Sequence, residues 1–261
     1  MARSTYYYHL IQLQKPDKYE SLRKQVVTIY HENKGRYGYR RITLELRNRS
    51  VMINRKTVKR LMQESGIKSL VRAKKYRSYK GSVGKITPNV LERDFKAIAP
   101  NMKWATDVTE FALFGQKRYL SPVLDLYNGE IISYTICVHP NLLMVTQMLS
   151  KALKVVKKDS GLILHSDQGW HYQHATYQHM LKNKGIIQSM SRKGNCLDNA
   201  VIENFFGLLK SELLYLQKFS SIENFENQLK EYIFYYNNFR IKQKLKGLSP
   251  IQYRNQSLLI A

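Results

Sequence analysis

Acidic residues are scarce in this chain: 19 Asp and Glu stand against 43 Lys and Arg in 261 residues, a formal charge of +24. Solubility needs only a mixture of signs, so so one-sided a balance points to a polyanionic partner, nucleic acid ahead of an anionic membrane surface. The excess is uneven, +17 over residues 1–100 and +7 over residues 101–261. Long apolar runs are also missing. None approaches the ~20 residues of a membrane span, and Met1 to Leu10 has no apolar block of the kind that opens a secretion signal. Cysteine is nearly absent: Cys137 and Cys196 form no metal-site spacing and read as free thiols in a reducing cytoplasm. No internal repeat or low-complexity tract is present.

What remains is 43% apolar, enough for one well-buried core and a smaller module. Residues 1–19 read as a polar, tyrosine-rich arm without a reliable element. Residues 20–70 read as short helices. Ser21 to His31 and Arg40 to Arg49 carry apolar residues at helical spacing, broken by Gly35-Arg36-Tyr37-Gly38. Asn54 is an N-cap for Arg55 to Glu64 and Gly66 a stop. That last helix turns Val58, Leu61 and Met62 inward and Arg55, Lys56, Lys59 and Arg60 outward. A helix pair with a basic second member suggests a helix-turn-helix-like DNA-binding domain, against the plainer reading of a small solvated bundle. Residues 71–100 read as a basic linker: Arg72, Lys74, Lys75, Arg77, Lys80 and Lys85 lie among tyrosines, serines and glycines. They suit either a phosphate-tracking strip or a plain tether.

From Asn101 the pattern turns to strands. Trp104 to Leu113, Tyr119 to Leu126 and Glu130 to Val138 form a meander with a hairpin turn at Asn128-Gly129. A helix over about 141–157, an apolar strand Leu162 to His165, a helix Ala175 to Lys184 and a strand Ile186 to Met190 follow. A long helix from Asn199 to Leu216 comes next, with Asp198 placed to cap it. This order predicts an α/β mixed sheet with helices on both faces over residues 101–220. Residues 221–261 add a helical extension: an aromatic helix from Ile222 to Phe239, read as core-packing, and a short helix opened by Ser249-Pro250.

Three acids stand out against this basic background. Asp107 lies inside the first strand, Asp167 ends the fourth, and Glu203 is one turn into the long helix. An acid in an apolar strand is costly to bury unless it is paired or ligates a cation. Carboxylates gathered at one sheet edge repel and need a counter-charge, which Mg²⁺ supplies while keeping positions open for substrate phosphates. Two such ions can clamp the attacking and leaving oxygens of an in-line phosphoryl displacement. The plainer reading is three unrelated surface or cap acids. Asp125 invites either a supporting or a turn-forming role. His165, His171, His174 and His179 cluster in sequence, but no cysteine pair joins them into a zinc site.

Between Asp167 and Glu203 lie 35 residues. That spacing resembles the D,D(35)E transposase and integrase superfamily. The words around the acids resemble the larger reading-frame product of a bacterial insertion-sequence family: Trp104-Ala105-Thr106-Asp107-Val108-Thr109, His165-Ser166-Asp167-Gln168-Gly169, and Ser191-Arg192-Lys193-Gly194-Asn195-Cys196-Leu197-Asp198-Asn199 running on through Glu203 to Lys210-Ser211-Glu212. Gly35 to Ile42 and Tyr236-Asn237-Asn238-Phe239-Arg240 with Leu248-Ser249-Pro250 extend the likeness over nearly all of residues 20–254. Two places depart from it: Gln243-Lys244 where many relatives carry a histidine, and the unusual Trp170 to His174.

The resemblance implies a ribonuclease H-like five-stranded core with a retroviral-integrase-like site. It implies Asp107, Asp167 and Glu203 as catalytic metal ligands for two Mg²⁺ ions, with Mn²⁺ as a substitute, and cleavage and strand transfer of duplex DNA at element ends and target. Lys210, two turns after Glu203, and Asn199, one turn before it, fall on the same helix face as DNA contacts. Arg192 and Lys193 belong to a basic loop ahead of the helix, read as touching DNA. The family also implies a homo-oligomer on DNA, joining by frameshifting to a smaller upstream product, and a nucleoid-associated cytoplasmic location. The chain starts at Met1 without such a product, so it is expected to be part of the active enzyme. The alternatives are a non-catalytic DNA-binding regulator of transposition and a ribonuclease H-type nuclease.

Overall fold

The structure, a computed structural model, describes residues 3–7, 17–71, 86–192 and 195–260, with only the backbone at 196 and 258–260. Most of the expected arm, residues 72–85 of the basic linker expected over 71–100, and Lys193 lie outside the described residues. Residues 3–7 are helical, an element not expected in a polar, tyrosine-rich arm. The chain divides into two units, Met1–Leu70 and Val71–Ala261.

The first unit holds three helices: α1 (Glu20–Glu32), α2 (Tyr39–Asn48) and α3 (Arg55–Glu64). Val26, Ile29, Ile42, Leu46, Val58 and Leu61 are fully buried between them, at the positions their spacing marked as apolar faces. The Asn54 carboxamide oxygen accepts the Lys56 N–H at 2.9 Å, so the expected cap is made. The chain leaves α1 through Gly35 at φ +72°, where an added Cβ would lie 2.6 Å from Leu70. Only glycine takes both that backbone angle and that approach.

The second unit is built on a mixed sheet. Strands are β1 (Lys103–Thr106), β2 (Thr109–Leu113), β3 (Gln116–Asp125), β4 (Ile131–Cys137), β5 (Ile163–Ser166) and β6 (Ile187–Met190). The first strand expected from sequence is thus two, interrupted at Asp107-Val108. Thr106 pairs with Val123 and Thr109 with Leu120, so the ladder against β3 resumes without a register shift. The cause is local: the Asp107 carboxylate accepts the N–H of Val108 at 2.7 Å. With β1 and β2 on one line, the sheet is five strands wide, ordered β4, β3, β1/β2, β5, β6. The meander is antiparallel, and β5 and β6 run parallel to β1.

Helices cover both faces, as the element order predicts. On one face α4 (Leu142–Ala152) and α6 (Ala175–Asn183) bury Val145, Met148, Leu149, Tyr177 and Leu181 against Trp104, Val123 and Leu164. Between β5 and α6 lies a short helix, α5 (Trp170–Gln173), that periodicity did not reveal. On the other face α7 (Ala200–Leu209) and α8 (Ile222–Asn238) bury Ile202, Phe205, Leu209, Phe225, Leu229 and Tyr232 against Phe111, Leu120 and Leu124. Tyr232 and Tyr236 are core, while Phe234 and Phe239 are exposed. A last helix, α9 (Pro250–Ile260), starts where Ser249 Oγ accepts the Gln252 N–H at 3.3 Å.

The long helix expected from Asn199 to Leu216 is instead a 3₁₀ turn over Cys196–Asn199, then α7, then a π-helical turn over Lys210–Leu214. Asp198 does not cap it; its carboxylate is taken by arginines. The π turn carries Glu212, whose buried carboxylate accepts Arg240 Nε at 2.8 Å, Arg240 Nη2 at 2.6 Å and the Tyr232 hydroxyl at 3.0 Å. A tertiary ion pair has overridden the straight helical repeat.

Candidate active site

The sheet topology brings two of the three predicted acids to one edge. β1 and β5 are parallel neighbours, with Lys103 opposite Ile163, Trp104 opposite Leu164 and Ala105 opposite His165. The same offset carried two residues further sets Asp107 level with Asp167, each just beyond its strand. Asp167 is held by a tight turn in which its Oδ1 accepts the Gly169 N–H at 2.9 Å. A Cβ on Gly169 would meet that same oxygen at 2.9 Å, so a side chain here would push the Asp167 carboxylate from its place. Glu203 lies in the first turn of α7, which packs against β1.

Electrostatics joins the three. Burial pushes the Asp107 carboxyl well above the usual range, the charges of Asp167 and Glu203 push it further, and the Val108 N–H and Lys210 act against them. Asp167 is likewise raised by burial, opposed by the Gly169 N–H and His171. The acids therefore share one electrostatic neighbourhood. Among the described residues, however, no three His, Cys, Asp or Glu side chains are drawn close enough together to hold a metal ion.

Lys210 opens the π-helical turn that follows α7. It is half-buried, with Nζ 5.6 Å from the centre of the Phe111 ring. Burial lowers its pKa, and the charges of Glu110 and Asp107 partly restore it. Asn199 is 4% exposed, and neither its carboxamide oxygen nor its nitrogen has a partner among the described residues. Arg55, Lys56, Lys59 and Arg60 are all exposed on α3 of the first unit, as expected, with Arg60 leaning over the Tyr19 ring and 3.5 Å from Glu64.

Arg192 is not a free loop cation. Its backbone N–H, Nε and Nη2 lie 3.0, 2.9 and 2.9 Å from the carboxylate oxygens of Asp198, whose side chain is wholly buried. Sequence reasoning missed this pair, and also Arg93, which reaches the same carboxylate at 2.7 Å. The signal available was the word Asp198-Asn199, read as a cap because only local partners were considered.

The remaining candidates resolve into structural roles. Asp125 is buried and accepts the N–H groups of Asn101 and Tyr127 at 2.9 and 3.0 Å and Arg254 Nη2 at 2.8 Å, so it ties α9 to the β3–β4 hairpin. His171 Nε2 lies 2.8 Å from the Pro140 carbonyl, and His174 caps α6 through the Thr176 N–H. His165 is buried, its pKa pushed down to about 4 by that burial. No helix among the described residues is long and apolar enough to cross a membrane.

Comparison with known proteins agrees with this architecture. An HTH-like domain family matches residues 17–75, and two Integrase core domain families match residues 97–196 and 203–258. The chain is 57% identical over 259 residues to the putative transposase InsK for insertion sequence element IS150 of Escherichia coli K12, covering 99% of this chain and 92% of that one. It is 34% identical over 233 residues to the transposase for insertion sequence element IS904 of Lactococcus lactis, covering 88% and 92%. Among solved structures, the HTLV-2 integrase catalytic core domain in complex with magnesium aligns with a TM-score of 0.48 at 18% identity, over 60% of this chain and 98% of that one. With those identities over nearly its whole length, an HTH-like module ahead of an integrase core and a five-stranded mixed sheet between helical layers, the chain belongs to the family of insertion-sequence transposases.

Proposed function

We propose that Asp107, Asp167 and Glu203 are the catalytic carboxylates of this transposase, and that together they hold divalent cations, two Mg²⁺ ions in the working complex with Mn²⁺ able to replace them. Cutting and joining DNA is the activity of the family, and enzymes with this integrase core depend on metal. The observation that carries the residue assignment is the parallel pairing of β1 and β5, whose offset sets Asp107 level with Asp167, with Glu203 in the first turn of a helix that packs against β1; the Asp107 carboxyl, raised by burial and by the charges of Asp167 and Glu203, is in keeping with it. An all-oxygen donor set of mutually repelling carboxylates suits a hard divalent cation. Bound there, the cations would supply charge neutralisation and a clamp on the oxygens of an in-line phosphoryl displacement.

The chain's own residues do the rest. Lys210 holds a DNA phosphate near the bond to be cut, its ammonium half-buried beside the acids. The Asn199 carboxamide, buried one turn before Glu203, orients DNA or the attacking water. Arg55, Lys56, Lys59 and Arg60 grip the phosphate backbone from the helix-turn-helix-like domain, residues 20–70. Lys193 and Arg192, whose side chain stays 58% exposed while paired with Asp198, complete the contact from the loop before α7. Residues 71–100 link that domain to the catalytic core, residues 101–220, and residues 221–261 extend it. The working form is a homo-oligomer on duplex DNA, with element ends and target as substrates. Joining to an upstream reading-frame product and association with the bacterial nucleoid belong to the same reading.

The test is cleavage and strand transfer on DNA bearing the element ends, with Mg²⁺ or Mn²⁺, by wild type and Glu203→Gln. The variant is expected to bind DNA as the wild type does and to cut none of it. Full cutting by Glu203→Gln would remove Glu203 from the site. DNA binding without cutting by the wild type in either metal would leave a regulator, and preferential cleavage of RNA–DNA hybrids a ribonuclease H-type nuclease.

A further inference from the structure

Immediately before the sheet, residues 86–95 run along the open edge of β6. The Met190 N–H reaches the Pro88 carbonyl at 3.4 Å, and the Thr87 N–H reaches the Met190 sulfur at 3.4 Å. Ser189 Oγ accepts the N–H groups of Val90 and Leu91 at 3.0 and 3.1 Å. With its lone pairs so used, the Ser189 hydroxyl donates to His165 Nδ1, 2.9 Å away. His165 is two residues before Asp167. Leu91, within the strap, is itself buried.

The strap then turns sharply. Asn89 Oδ1 accepts the Glu92 N–H at 3.0 Å, and Glu92 and Arg93 adopt φ of +46° and +63°. Two consecutive non-glycine residues in the left-handed region persist only where the surroundings over-determine them. Here the turn delivers Arg93 to Asp198. The Asp198 carboxylate accepts Arg93 Nε at 2.7 Å and Asn89 Nδ2 at 3.1 Å, in addition to the three donors from Arg192. Arg93 Nη2 also reaches Asn195 Oδ1 at 2.9 Å. Asp198 is next to Asn199 and five residues before Glu203, in the turn that opens α7.

We infer that Arg93 and Asp198 are positioning residues for DNA cleavage: the strap residues 87–93 fix the entry to α7, and with it the place of Glu203 beside Asp107 and Asp167. The inference rests on the reading of Glu203 as catalytic. The strap lies ahead of residue 97, where the match to the integrase core begins. The catalytic apparatus therefore includes a segment that the core family does not cover, and it lies inside residues 71–100, which read from sequence as a linker. A buried carboxylate shared by two guanidinium groups suits this task. Each fork fixes orientation as well as distance, and loss of either leaves the other competing with solvent.

The test uses the full chain, single-turnover cleavage of element-end DNA, and DNA affinity and melting temperature as controls. Arg93→Ala is expected to lower the cleavage rate on the order of 10²-fold, the scale of a slight misplacement of catalytic groups, with DNA affinity unchanged. Because the Arg93 side chain is 41% exposed, the place it vacates opens to solvent. Low-millimolar guanidinium should therefore restore cleavage to Arg93→Ala, and should leave Glu203→Gln inactive. Arg93→Lys should keep part of the rate. Should Arg93→Ala melt too low to assay, Asn89→Ala removes one bond to the same carboxylate and should slow cleavage less. Wild-type cleavage by Arg93→Ala overturns the inference. So does a loss confined to DNA affinity and untouched by guanidinium, which would make Arg93 a phosphate contact. Glu203→Gln cutting at full rate would instead sink the site reading beneath it.

Discussion

Two kinds of acid withdrawn from solvent occur in this protein. Asp198 and Glu212 are sealed from solvent and answered in full: Asp198 by Arg192, Arg93 and Asn89, Glu212 by both arms of Arg240 and by Tyr232. The Arg192 guanidinium beside Asp198 holds its carboxyl far below the usual range. Asp107 and Asp167 are answered by single backbone N–H groups, from Val108 and Gly169, and their carboxyls are raised. Asp198 and Glu212 are buried and Asp107 and Asp167 half-buried, so desolvation costs all four, yet only the first two have that cost met by guanidinium partners. An acid left uncompensated beside another acid stores repulsion that a cation can relieve. On the proposed reading, the contrast separates carboxylates that build the fold from carboxylates that would hold the cations.

The sharpest way to break that distinction is to neutralise one acid of each kind. Asp107→Asn should lower DNA cutting on the order of 10³-fold or more, since preorganised charge at a reacting centre is worth at least that. In the absence of divalent ions it should melt at or above the wild-type temperature, because repulsion has been removed. Arg240→Ala should do the reverse to stability. It strands the Glu212 carboxylate in the core, at a cost of about 3–5 kcal/mol, read by urea unfolding followed by circular dichroism. If Asp107→Asn destabilises the metal-free protein as Arg240→Ala does, the two kinds of acid are one kind.

The same contrast explains what could be read ahead of the structure. The hairpin at Asn128-Gly129, the Asn54 cap and the alternation of strands with helices are local or spaced patterns, and each sits close to its expected place; Asp107 and Asp167 lie at the ends of paired strands and Glu203 in the first turn of its helix. The break at Asp107 was not legible, because β-rich residues continue through Val108 and the interruption comes from a carboxylate bonding the next backbone N–H. The π turn at Lys210–Leu214 was not legible either. Glu212 meets Arg240 from 28 positions away, and no helical repeat records that pairing. Asp198 was misread for the same reason: a capping rule looks three residues ahead, while Arg93 arrives from 105 residues behind.

A milder test lies at Lys210, the cation beside the uncompensated acids. Lys210→Ala should weaken binding of element-end DNA and reduce the slope of log affinity against log salt by about 1, the signature of one lost phosphate contact. An unchanged slope would leave Lys210 as a cation packed over Phe111 that tempers Asp107 and touches no DNA.

The smallest effect is also the most direct measure of stored repulsion. Asp107 binds its proton more tightly folded than unfolded, since burial, Asp167 and Glu203 all raise its carboxyl. Its contribution to stability is therefore complete below the ordinary carboxylate pKa of 3.8 and is lost as pH rises from there through the raised folded value. Asp167 adds a change of the same sign. For one proton the decline is at most about 1.4 kcal/mol per pH unit across that window. Metal-free protein titrated upward from mildly acidic pH should show this decline in urea midpoint, and Asp107→Asn should flatten it. Mg²⁺ should also flatten it, by binding the ionised carboxylates of the folded state and not those of the dispersed chain. A decline that persists in Asp107→Asn, or that Mg²⁺ leaves untouched, would place the repulsion elsewhere and take from these carboxylates the property that sets them apart from Asp198 and Glu212.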